Sequence, residues 1–99
     1  MSAEQEVVTG SEELARSIGI TYRKMDYWCK LGYLQPLDPE PGSGYERLWP
    51  GAELEIARRM GRLAAAGLPL AFAAHLARDA WPAAELAPGI TVTVAEAAP

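Results

Sequence analysis

The sequence predicts a mainly α-helical domain: two short helices, a β-hairpin wing, a helical hairpin, and a C-terminal run with the pattern of a strand. Three observations predict it. Two amphipathic segments, 12–18 and 22–31, each stop at a glycine, Gly19 and Gly32. A stretch holding Pro36, Pro39, Pro41, Gly42 and Gly44, which suits neither a helix nor a central strand, separates two short runs rich in aromatic and aliphatic residues. Two further apolar-striped segments then meet at Gly67 and Pro69.

Residues 1–10 are polar and read as a flexible N-terminus, with Val7 and Val8 laid along the domain. The first helix, 12–18, opens behind Ser11 as N-cap, with Glu12 and Glu13 at the positive end of its dipole and Leu14, Ala15 and Ile18 on one face. Gly19 stops it, because glycine adopts positive φ at almost no cost. Thr21 caps the second helix, Tyr22 to Leu31, which Gly32 terminates. Met25, Trp28 and Cys29 share the inner face of that helix, and Tyr22, Arg23, Asp26, Tyr27 and Lys30 lie on the other side.

Tyr33 and Leu34 begin a hairpin whose return strand is 45–49, so that 33–49 forms a wing. A longer helix follows over about 52–66, with Ala52, Ile56, Met60 and Leu63 on one stripe, Glu55 four residues before Arg59, and Arg58, Arg59 and Arg62 elsewhere. Pro69 suits the first turn of a fourth helix, and Leu70, Phe72, Ala73 and Leu76 supply its buried face up to about Arg78. The chain thus divides into the N-terminus 1–10, a domain at 11–79, and an alanine- and proline-rich tail at 80–99. Within the tail, Ile90 to Val94 alternates β-branched residues like a strand. Its partner is open: the wing sheet, a second subunit, or none if the tail stays flexible.

Composition narrows the chemistry. At 99 residues there is room for one core, and 49% hydrophobic residues suit a folded globular chain. No apolar run approaches the roughly 20 residues of a membrane span. Glu4 and Glu6 near the start do not fit a secretory signal, so the expectation is a cytoplasmic protein without membrane association. Cys29 and His75 are the only residues of their kinds, so no metal site, disulfide framework or Cys/His nucleophile is expected. No cofactor motif or carboxylate pair appears, and an enzyme is not predicted.

The net charge of −4 argues against sequence-blind nucleic-acid binding, but the average conceals a polarity. Between Leu14 and Gln35 the basic residues Arg16, Arg23, Lys24 and Lys30 face the single acid Asp26. Local charge governs docking more than net charge does. Two short helices across a glycine turn, the second with a basic and aromatic outer face, match a helix-turn-helix whose second helix enters the major groove of double-stranded DNA. Arg23, in the first turn, can form a bidentate contact to guanine. Tyr22, Tyr27 and Lys30 can reach phosphate oxygens, and Arg47 belongs to the wing beside the groove.

At these residues the chain resembles the MerR family of bacterial winged helix-turn-helix regulators. The resemblance is strongest in Gly19-Ile-Thr-Tyr-Arg-Lys-Met-Asp-Tyr-Trp-Cys-Lys-Leu-Gly-Tyr-Leu34. It extends through Gly44-Tyr-Glu-Arg-Leu-Trp49 and Ala66-Gly-Leu-Pro-Leu70, covering about 11–78, with wording similar to the actinobacterial and actinophage branches. It implies a DNA-binding transcription regulator, a repressor or architectural binder, with Tyr22, Arg23, Tyr27 and Lys30 on the recognition helix and Arg47 on the wing. Where many members carry an arginine this chain has Asp26, which is expected to orient Arg23 or Lys30 instead. Typical members continue into a dimerising coiled coil and a sensor segment, whereas Pro82, Pro88 and Gly89 interrupt 79–99. The expectation is the minimal DNA-binding form, without the coiled coil or a metal sensor.

Such minimal forms resemble small developmental regulators and phage excisionases that assemble side by side on repeated sites. An excisionase-like recombination directionality factor is therefore the alternative within DNA binding, and either a homodimer or side-by-side assembly on DNA fits. A protein-interaction module that uses Ile90 to Val94 for β-augmentation is the alternative from another class. Plainer roles suit other residues. Trp28, Trp49 and Phe72 read as core, Cys29 as a small buried hydrophobe, His75 as a solvated residue, and the 58–62 arginines as a solvated face. Tyr27 suits packing under the wing as well as it suits DNA contact.

Overall fold

The computed structural model describes residues 7–37 and 46–95, with side chains treated from residue 11 onward and, after the gap, from residue 48. Four helices, α1 (Ser11–Ile18), α2 (Tyr22–Lys30), α3 (Gly51–Ala65) and α4 (Leu70–Asp79), make it mainly helical. Two small antiparallel sheets accompany them: β1 (Val7–Gly10) with β2 (Glu46–Trp49), and β3 (Ala83–Ala87) with β4 (Ile90–Thr93).

The helix ends follow from backbone hydrogen bonding. At the end of α1 the Ile20 N–H donates to the Ala15 carbonyl at 2.9 Å and the Gly19 N–H to the Arg16 carbonyl at 3.2 Å, with Gly19 at φ +84°. This paired closure satisfies carbonyls a helix terminus otherwise leaves without partners. The end of α2 repeats it: Tyr33 donates to Trp28 and Gly32 to Cys29, both at 3.0 Å, with Gly32 also at φ +84°. A side chain at either glycine would force an L-residue into the left-handed region, at a cost of about 1–2 kcal/mol.

One core joins all four helices. Leu14 and Ala15 of α1, Met25 and Trp28 of α2, Ala57, Met60 and Leu63 of α3, and Ala73, Leu76 and Ala77 of α4 are buried around Leu34 and Trp49. Phe72, expected in the core, is half-buried against its edge, as are Cys29 and Leu70. The stripe expected on α3 holds at Met60 and Leu63 but is shifted by one residue over the first half of the helix: Ala52 is exposed and Ile56 half-buried, whereas Glu53 and Ala57 point inward.

An ion pair holds Glu53 at the shifted position. Arg78, near the end of α4, contacts the Glu53 carboxylate through Nη2 at 2.5 Å and Nη1 at 3.2 Å, and the Glu53 side chain is only 9% exposed. Glu53 also accepts the Gln35 N–H at 2.6 Å, while Arg78 Nη2 donates to the Tyr33 carbonyl at 2.8 Å. The start of α3, the end of α4 and the segment leaving α2 are thereby fastened at one point. A buried carboxylate is tolerated only with such a complement of donors.

Three strand expectations need correction. Val7–Gly10 is not frayed but pairs with β2 in the register Val7 with Trp49 through Gly10 with Glu46. Tyr33 and Leu34 form no strand; the segment after α2 meets β2 only at Leu37, which exchanges two 2.8 Å hydrogen bonds with Leu48. The rest of the anticipated wing loop, 38–45, lies outside the described residues. The third concerns 90–94, which does not join the first sheet. β4 folds back on β3, around Pro88 and Gly89. Adjacent pairing closes a short loop and so costs less chain entropy than reaching a distant edge.

The β3–β4 hairpin is anchored. Ala84, Val92 and Val94 pack against the core, and the Trp81 ring lies 4.6 Å from the Arg59 guanidinium carbon and 5.9 Å from that of Arg62. Arg59 also donates to the Ala77 carbonyl at 3.1 Å. The arginine run on α3, read from sequence as a solvated face, therefore in part holds the C-terminal segment.

Candidate nucleic-acid interface

The outer face of α2 is built from its N-cap upward. Thr21, in extended conformation, accepts the Lys24 N–H on its side-chain oxygen at 3.0 Å, which fixes where the helix begins. Three residues, 19–21, separate this helix from α1. Met25 and Trp28 point inward and are at most 2% exposed, which sets the rotation of α2 about its axis. With those two anchored, Tyr22, Arg23, Lys24, Tyr27 and Lys30 are all exposed.

Four of the five residues expected at the site, Tyr22, Arg23, Tyr27 and Lys30, thus lie on one exposed surface. Tyr27 is 55% exposed. Lys24, which the sequence reading did not select, stands next to Arg23 in the first turn. Its signal was available in the basic excess of the segment. The backbone of Arg47 lies on β2 opposite Thr9, and its side chain lies outside the described residues.

Asp26 is half-buried, and its carboxylate lies 3.2 Å from Lys30 Nζ one turn further on. Of the two partners expected for it, this ion pair is with Lys30. The Lys30 side chain stays 74% exposed, so the pair is solvent-screened and contributes only about 0.3–0.5 kcal/mol. Lys30 can exchange this partner for a phosphate oxygen at little cost.

The charges at the start of α2 oppose its dipole. A helix N-terminus carries about half a positive charge, and acidic residues there stabilise it. The first turn of α2 has none, and holds Arg23 and Lys24 instead. Helix dipole and side chains therefore add, giving a concentrated positive potential at the exposed end of the helix. Such an end attracts anions.

Among the described residues, no group of three or more His, Cys, Asp or Glu is arranged to hold a metal ion, and no helix is long and apolar enough to cross a membrane. No protein-family model matches this chain, and neither the curated proteins nor the solved structures contain a significant match to it.

Proposed function

We propose that this chain binds double-stranded DNA sequence-specifically as a minimal winged helix-turn-helix regulator similar to the MerR family, with α2 in the major groove and β2 beside it. The observation that carries the reading is the doubled positive charge at the first turn of α2. Arg23 and Lys24 oppose local helix stability there, and an arrangement that sacrifices stability on an exposed surface is expected where a surface binds. Major-groove readers use the N-terminal residues of the recognition helix to meet base edges, and Arg23 sits at that end. In this reading Arg23 reads guanine, Tyr22, Lys24, Tyr27 and Lys30 hold the flanking phosphates, and Arg47 reaches the backbone from the sheet.

The exposed tyrosines support the same assignment, since a hydroxyl on a rigid ring can donate to a phosphate without the entropy loss of a long side chain. Regulation would follow from occupancy of the site, as repression or as an architectural role. The test is a fluorescence-anisotropy titration against fragments of the source genome at about 50 and 200 mM salt. Neutralising several phosphates predicts a loss of affinity of at least tenfold between the two. Equal affinity at both salts, or no binding at the lower one, would refute the proposal.

A further inference from the structure

A second surface, on the side of α3 that meets the end of α1, has the composition of a ligand site. Its cleft of about 500 Å³ falls within the roughly 300–1,000 Å³ of small-molecule sites. Ile18, Gly61 and Ala65 form its apolar floor, and Arg16, Arg58 and Arg62 stand around it. The cleft owes its shape to Gly61. A Cβ there would meet the Ile18 carbonyl oxygen at 3.0 Å and the Ile18 Cβ at 3.4 Å, so the two helices could not approach as they do.

Two of the three arginines around this floor are largely uncommitted. Arg16 has no ion-pair partner among the described residues, and Arg58 is held only by a 3.6 Å contact to Glu55, with both side chains more than half exposed. The negative end of the α1 dipole is worth about half a charge, which three guanidinium groups outweigh. Inorganic phosphate would use the arginines and leave the apolar floor wet; a neutral apolar molecule would do the reverse. We infer that this cleft binds a small organic anion with an aliphatic body, its carboxylate on the arginine forks and its chain on Ile18, Gly61 and Ala65. Arginine pairs with carboxylates in a planar two-bond geometry, which suits this rim. The inference is independent of DNA binding by α2.

The probe is sodium octanoate, titrated into the full chain and followed by two-dimensional amide NMR, with 1-octanol as the uncharged counterpart. Octanoate is expected to give saturable shifts at the Ile18, Gly61 and Ala65 amides and 1-octanol none. Arg16→Gln and Arg58→Gln, both at exposed positions, should each weaken octanoate binding at least threefold and together at least tenfold, with the dispersed spectrum of the folded chain retained. Ala65→Leu, which fills the floor, should abolish it. No saturable shift, an equal response to 1-octanol, or binding unchanged in the double arginine variant would overturn the inference. So would shifts of these amides by duplex DNA but not by octanoate, which would make the rim a phosphate contact.

Discussion

Helices α1 and α2 are neighbours of nearly equal length, and their first turns are charged in opposite ways. α1 opens with Glu12 and Glu13 and carries Arg16 in its last turn, which matches its dipole at both ends. α2 has no acid in its first turn and holds Arg23 and Lys24 there. Both helices bury two or three residues and both end in the same glycine closure, so their packing does not explain the contrast. The difference teaches that the first turn of α1 follows the dipole rule for stability, whereas the first turn of α2 departs from it and presents a positive potential instead.

The largest test of that contrast is a charge reversal. Arg23→Glu should lower DNA affinity by about 3 kcal/mol, the upper end of the 1–3 kcal/mol range of a truncation at a base-reading arginine. Stability should at the same time rise by about 0.3–1 kcal/mol, because an acid at the start of a helix interacts favourably with the dipole. Anisotropy and urea unfolding on one preparation measure both; a loss of stability together with affinity would break the comparison. Next in size is Arg78→Met, which leaves the Glu53 carboxylate buried without its cation and should cost about 3 kcal/mol in urea unfolding. DNA affinity per folded molecule should stay within twofold, since Arg78 lies off the α2 face. The smallest effect is expected on α1. Glu12→Gln with Glu13→Gln should remove about 0.5–1 kcal/mol of stability in the same unfolding measurement and leave DNA affinity within about twofold.

The helices were legible because their signals are local. Thr21, Gly19 and Gly32 punctuate the chain within a few residues of the ends they define, and the period of Met25 and Trp28 fixes which side of α2 is outward. That same period exposed most of the candidate site. What escaped the sequence reading depends on distance along the chain. β1 is four residues long and meets a partner some 40 residues away, so nothing near Val7 announces it. β3 is written largely in alanine, a weak strand former, and takes its conformation from β4 and from the core beneath Ala84. Glu53 and Arg78 are 25 residues apart. The one local sign of their pairing is that Glu53, Ala57 and Met60 share a stripe, which a surface acid would not do.

The pairing of Val7–Gly10 with Glu46–Trp49 bears on how this polypeptide should be handled. Trimming it to begin at Ser11 would strip β2 of its neighbour along one whole side, with Leu37 the remaining bridge on its other side. An uncovered strand edge invites recruitment by another molecule. The first purification artefact to expect from such a truncation is self-association, which a shift-assay gel would display as slow-migrating material and which a reader could mistake for cooperative loading onto an operator.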